Sequence, residues 1–250
     1  MRRTYISGFA AVIILALTIP TFANAALPQG LVFLVTFEEK NGDVVKDLSG
    51  FNNDGEVVGE AEWVAGKYGG GFHFNGSTNI TVPNAEPLSE LTQPMSAGAW
   101  VNPDSLSGNT NIVEMDGNAG WKLGFFGGAN VVWTTYHVLD FTSSGTVSLS
   151  EWTHVAATWD GSEAIIYING EPPELSIAGG GVIDVSKEPS LDIGYRRTSN
   201  SSYFIGAMDD VFVFDRVLSQ AEIEGLMSGF FMAVEPENKL ATTWGSLRKL

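Results

Sequence analysis

The chain contains no cysteine among its 250 residues. No disulfide can therefore restrain the unfolded chain, no lipid can be attached through a thiol, and no thiolate can act as a nucleophile. Stability has to come from an apolar core, with a bound metal as an addition. Basic residues are scarce, 13 Lys and Arg against 29 Asp and Glu, for a formal net charge of −16. Such a surface repels nucleic acid phosphates and anionic lipid heads, which argues against nucleic acid partners and is compatible with cation binding. Also missing are a G-x-S-x-G elbow, an H-E-x-x-H pair and a phosphate-cradling glycine loop before a helix.

What is present begins with a leader. Arg2 and Arg3 precede a mostly apolar run at 6–19, Pro20 breaks it, and Ala23-Asn24-Ala25 offers the small residues a signal peptidase reads. Residues 1–25 are expected to be a signal peptide cleaved after Ala25, giving a protein secreted to the exterior or held at the cell surface. A membrane span needs about 20 apolar residues, so no stable membrane insertion is expected after cleavage. Loss of Arg2 and Arg3 makes the mature chain more negative by two. The remainder has the size of a single all-β sandwich domain, and 15 Phe and 7 Trp suffice for a sizeable core.

Residues 152–170 (WTHVAATWDGSEAIIYING) contain two strand-like runs around Asp160-Gly161, and Asn169-Gly170 closes the second. Asp-Gly and Asn-Gly supply the positive φ of tight turns, so a β-hairpin is expected. Residues 31–37 (LVFLVTF) form a short apolar run suited to a buried strand. Further strand segments are expected at 56–58, 71–74, 79–82, 95–101, 112–115, 122–126, 131–136, 146–149, 191–193 and 207–214. The apolar character of 207–214 suits a central strand covered on both faces, and His73, between Phe72 and Phe74, points away from the core side. One helix is expected, opened by the capping box Ser219-Gln220-Ala221-Glu222, with Ile223, Leu226 and Met227 as its apolar stripe. Short strands separated by Gly, Asn, Asp and Pro indicate an all-β, two-sheet antiparallel sandwich, here bounded at 27–232 and followed by a tail at 233–250. That tail carries Trp244 and three basic residues, Lys239, Arg248 and Lys249.

The hairpin resembles the W-x-H-V-A-x-x-[WY]-D-G signature of LamG-like jelly-roll domains, within the concanavalin A-like lectin and glucanase group. Further ordered matches lie at 37–55, at 63–76 (WVAGKYGGGFHFNG), at 96–103 (SAGAWVNP) and at 206–216 (GAMDDVFVFDR), and D-R-x-L-S-x-x-E-I at 215–223 looks like the family's usual ending. The resemblance covers roughly residues 31–229 and implies a jelly roll, commonly with one calcium ion near the first loop and the last strand. Calcium takes six to eight oxygen ligands, and residues 47–55 (DLSGFNNDG) supply carboxylate and amide oxygens on a loop able to wrap an ion. Asp47 and Asp209 are the expected calcium ligands, with Asn52 or Asn53 through a side-chain or backbone oxygen. A metal-free Asp/Asn/Gly turn is the alternative. Phe51 and Asp54 replace the family's usual Gly and His, and Asp210 its Glu.

Related glucanases use paired carboxylates, which retaining hydrolysis places about 5 Å apart. Here only Glu114-Met115-Asp116 approximates that motif, and no second glutamate follows. The expected function is a secreted, non-catalytic module that recognises glycan or protein at the cell surface or in the extracellular matrix. Candidates by residue type for stacking on sugar rings are Trp121, Trp133, Tyr136, Tyr195 and Tyr203. Two alternatives stay open: a structural or assembly component using its C-terminal tail, and a glycoside hydrolase with an unrecognised site.

Overall fold

β-branched and aromatic residues alternating with polar ones fold, among the described residues, into strands of a few residues each, broken wherever Gly, Asn or Asp permits a positive φ. The computed structural model describes residues 27–229 and 231, except 84, 86, 89, 90, 93, 116–119, 172–176, 182 and 184–189. The expected leader at 1–25, the tail at 233–250 and Asp116 lie outside the described residues.

In chain order the strands are β1 (Leu31–Val35), β2 (Val44–Val45), β3 (Gly55–Val58), β4 (Glu62–Ala65), β5 (Gly70–Asn75) and β6 (Asn79–Pro83). The middle of the chain gives β7 (Met95–Pro103), β8 (Thr110–Met115), β9 (Trp121–Phe126), β10 (Asn130–Thr135) and β11 (Leu139–Thr146). Then come β12 (Thr153–Trp159), β13 (Glu163–Ile168), β14 (Ile177–Ala178), β15 (Ser190–Ile193), β16 (Ile205–Phe214) and the helix α1 (Gln220–Met227). One sheet runs β14-β13-β12-β7-β16-β5-β4, with β1 also on β16; the other runs β11-β10-β9-β8-β15-β6-β3-β2. The two sheets are antiparallel, and the hairpin expected at 152–170 is β12 and β13, with Val155 opposite Ile168 and Trp159 opposite Ala164.

The inward faces of both sheets share one apolar core that includes Phe33, Phe72, Phe74, Leu123, Trp133 and Trp159. Trp121 and Trp133 stack inside it, centroids 5.3 Å apart and planes 15° apart. A second cluster lies on the outer face of the first sheet, where Ile223 and Leu226 of α1 cover Leu31, Leu34, Phe212 and Phe214. Each of the two helix side chains contributes roughly 1.5–3 kcal/mol by burial. Both halves of the capping box form, Ser219 accepting from the backbone N–H of Glu222 and the Glu222 side chain accepting from that of Ser219.

The strand expected at 146–149 is displaced. The chain pairs as β11 over Leu139–Thr146, and Val147 then turns its N–H to Ala129 O at 3.0 Å. Val147 is buried while Leu149 is exposed and Ser150 has φ +55, so the apolar letters there belong to a turn. β11 itself is polar because it is the edge of its sheet.

β16 is central, as its composition suggests, but not regular. On one edge it pairs with β7 from Gly206 to Asp209 and again from Phe212 to Phe214; on the other it pairs with β5 from Ile205 to Met208 and with β1 from Val211 to Phe214. The register shifts between Asp209 and Phe212, and Asp210 has φ +49. A bulge of this kind re-aims side chains and locally ends pairing. Here it puts two consecutive carboxylates at the point where the strand changes partners.

Candidate functional site

Asp47 ties the first loop to β1. Its Oδ1 accepts the N–H of Leu34 at 3.1 Å and of Ser49 at 2.9 Å; its Oδ2 lies 2.8 Å from Ser49 Oγ and accepts the N–H of Asn53 at 2.9 Å. A carboxylate offers about four acceptor positions; three backbone N–H groups fill positions on Asp47, and the Ser49 hydroxyl beside it also lies 3.2 Å from Val32 O. Asn52 is exposed, with φ +61 and its Nδ2 3.5 Å from Gly50 O, while Asn53 is buried. The residue expected to lead a calcium site is thus a strut of the loop. No group of three or more His, Asp or Glu side chains with metal-holding geometry occurs among the described residues.

The hydrogen-bonding neighbours of Asp209 are different from those of Asp47. It is fully buried, and its Oδ2 accepts the N–H of Tyr68 at 2.9 Å. Backbone N–H groups of Lys67 and Asp210 also reach the carboxylate. Its Oδ1 is buried with no hydrogen-bond partner. Burial pushes the Asp209 pKa up to about 7, the backbone donors hold it down only in part, and the Glu38 carboxylate adds to the rise. Glu38 is fixed in turn by Gly70 N–H, 2.7 Å from its Oε1. Gly66 passes so close that a Cβ there would lie 2.6 Å from Asp209 Oδ2 and 2.0 Å from Gly70 O. A buried carboxylate oxygen lacking a donor, beside a second carboxylate, suits a hard cation that accepts oxygen ligands. The structure therefore brings Asp209 to Glu38 and the 66–70 turn, and ties Asp47 to the backbone of Leu34, Ser49 and Asn53.

The outward face of the second sheet carries the other concentration of polar groups. Register places Asp140, Thr134, Lys122, Glu114, Asp192 and Thr81 side by side across β11, β10, β9, β8, β15 and β6. Glu114 is 1% exposed, Asp192 2% and Lys122 7%. Asp192 is held by Arg197, Nε to Oδ2 at 2.9 Å and Nη2 to Oδ1 at 2.8 Å, and Thr81 Oγ1 donates to its Oδ1 at 2.9 Å. Glu114 accepts Asn111 Nδ2 on Oε2 at 2.7 Å and the Tyr136 hydroxyl on Oε1, with Arg196 Nε 3.8 Å from the latter oxygen. Burial raises the Glu114 pKa to about 7 against the pull of Tyr136, Arg196 and Lys122. Burial likewise lowers that of Lys122.

Glu114 and Asp192 face each other on neighbouring strands, a carboxylate pair that spacing within one strand does not reveal. Both are occupied by protein donors and shielded from solvent, which leaves neither open to a glycosidic oxygen. Of the aromatics expected to stack on sugars, Trp121 and Trp133 are core residues, whereas Tyr136, Tyr195 and Tyr203 are half-buried. His154 is packed between the rings of Trp100 and Phe212, at 5.3 and 5.9 Å, and burial lowers its pKa to about 3. It is a neutral core residue with no position from which to act as a base on a ligand.

Residues 74–224 match the family described as the concanavalin A-like lectin/glucanases superfamily. The chain belongs to this superfamily. Among curated proteins it is 25% identical over 244 residues to Paraclostridial mosquitocidal protein 1 of Paraclostridium bifermentans, an alignment covering 88% of this chain and 19% of that protein. This superfamily member thus spans about a fifth of that relative's length. The binding domain of the same protein superposes with a TM-score of 0.63 at 23% identity, over 81% of this chain and 52% of that one. Domain 4 of AbnA, an extracellular GH43 arabinanase of Geobacillus stearothermophilus solved with arabinotriose, gives 0.64 at 17% identity, over 78% and 97%. The binding domain of botulinum neurotoxin DC in complex with SialylT gives 0.62 at 14%, over 80% and 52%. These superpositions establish the shared jelly-roll fold.

Proposed function

We propose that this chain is a non-catalytic recognition module, acting outside the cell or at its surface, that binds glycan or protein. The observation that carries this reading is the superfamily match together with relatives named for binding, a toxin binding domain and a domain solved with arabinotriose. The occupied, buried state of Glu114 and Asp192 supports binding without hydrolysis. A glycan array probed with the mature chain is expected to show selective binding with no release of reducing sugar. Hydrolysis of laminarin or xylan would overturn the non-catalytic reading. A silent array combined with partner capture by the 233–250 peptide would favour the assembly alternative.

Calcium belongs to the same proposal, at Asp209 and Glu38 with backbone oxygens of the neighbouring turn, rather than on Asp47, Asn52 and Asn53. The bound ion would supply the counter-charge that Asp209 lacks and hold the 66–70 turn against β16. Calorimetric titration of metal-stripped protein is expected to show a single site that Asp209→Asn removes and Asn52→Ala leaves intact. Absence of heat at millimolar calcium would refute it.

A further inference from the structure

We infer that the C-terminal tail folds back onto its own domain and seats the Trp244 side chain in an apolar groove beside α1. The contact is independent of glycan or protein recognition and uses a different surface of the molecule.

The groove, about 320 Å³, has Pro28, Phe214, Leu218 and Leu226 among its walls. Its two charged lining residues answer each other, with Arg216 Nη2 2.7 Å from Glu222 Oε1. Arg216 also donates from Nε to Gln29 O at 2.9 Å and lies over the Phe214 ring at 5.5 Å. That pairing leaves no unmatched charge for an ionic ligand, so the groove suits a bulky apolar side chain. Leu27 and Val217, next in the chain to lining residues, are exposed and extend the apolar surface.

Gly225 gives an independent sign that the groove is filled. It lies within α1 and lines the groove, and in a helix glycine is the least favourable residue after proline. Its φ is not in the left-handed region, and a Cβ there would meet no atom of the described residues within 4 Å. Neither the backbone nor a neighbour in the domain therefore requires glycine. A group pressed against the helix backbone from the groove does require it.

The tail is the occupant that the chain itself supplies. Phe231 is buried against Phe212, centroids 5.9 Å apart, in the cluster that also holds Phe214, Leu218 and Leu226. The chain thus enters the tail from the groove's own cluster, and residues 232–243 reach up to about 40 Å when extended. Leu240, Trp244 and Leu247 recur at i, i+4 and i+7, the spacing of one apolar helix face. Charge agrees: residues 239–250 carry Lys239, Arg248 and Lys249 and no acid, whereas α1 carries Glu222 and Glu224 and no base. So short a tether gives an effective concentration on the order of millimolar, which favours the chain's own tail over that of another molecule.

The test uses the mature chain labelled with 5-fluorotryptophan and read by fluorine NMR, the Trp244 resonance being the one lost in Trp244→Phe. The expected Trp244 signal lies away from its position in urea, does not move on tenfold dilution, and returns to the urea position in Gly225→Leu, whose side chain fills the groove. The remaining tryptophan signals should keep their native dispersion in that variant. Hydrogen exchange adds a readout that leaves the domain untouched: amides of 239–250 should exchange at least tenfold more slowly in wild type than in Trp244→Ala. A Trp244 signal at the urea position together with unprotected tail amides would overturn the inference. Protection that survives Gly225→Leu would overturn the assigned groove. A signal that shifts with dilution would overturn the intramolecular contact and assign the groove to the tail of a second copy.

Discussion

Glu114→Gln isolates the cost of placing a carboxylate on the buried row. Its pKa rises from 4.5 to about 7 on folding, so the folded protein holds this proton more tightly than the unfolded chain does. The associated stability is complete below pH 4.5 and is lost as pH rises through about 7. At 1.36 kcal/mol per pKa unit, that loss is about 3 kcal/mol between pH 4 and pH 9. Gln is close in shape, cannot ionise, and retains an oxygen for Asn111. Urea unfolding of wild type and Glu114→Gln across that range, in calcium-containing buffer, should therefore show wild type losing about 3 kcal/mol relative to the variant, with similar m-values. Subtraction removes the other titrating groups, which both proteins share. Parallel stability profiles, with the difference constant from pH 4 to pH 9, would refute the assignment of a buried, proton-holding Glu114.

Gly66→Ala is expected to destabilise the fold by several kcal/mol, since the added Cβ would meet Gly70 O at 2.0 Å and Asp209 Oδ2 at 2.6 Å; a thermal melt unchanged from wild type would contradict the close approach. His73 lies 2.8 Å from Glu62 through Nδ1 and 2.8 Å from Asp104 through Nε2. Desolvation lowers its pKa, but the two carboxylates more than offset that and raise it above 6.5. The stability it contributes is present below pH 6.5 and fades as pH rises through the higher folded value. Its imidazole NMR titration should have a midpoint above 6.5, and the Glu62→Gln, Asp104→Asn double variant should bring the midpoint down. Ser219→Ala removes one half of the capping box and should cost about 1 kcal/mol in chemical unfolding.

Local chemistry is what can be read along the chain. The Asp160-Gly161 and Asn169-Gly170 turns place β12 and β13, and Ser219 with Glu222 opens α1, because each signal lies within a few residues. The Asp209-Asp210 doublet inside an otherwise apolar strand is also visible, and it marks the bulge of β16. What Asp209 faces is not visible, because Glu38 and Tyr68 reach it from distant parts of the chain. The surroundings of Asp47 are hidden for the same reason. Its loop has the composition of a cation ligand set, yet the N–H of Leu34 arrives from β1 and its own neighbours complete the shell. The row through Lys122, Glu114 and Asp192 is created by strand register, so residues that are isolated polar positions in sequence become adjacent only in the sheet.

The last strand to be synthesised in the first sheet is also its middle one. β16 joins β7 on one side to β5 and β1 on the other, so until Phe214 is available the earlier strands form separate fragments with open edges. Chains dominated by such distant pairings fold slowly, and exposed edges invite wrong partners. A truncation before β16 would therefore yield an aggregating polypeptide in place of a smaller domain. Folding of this sheet is consequently deferred until nearly all of the domain has left the ribosome.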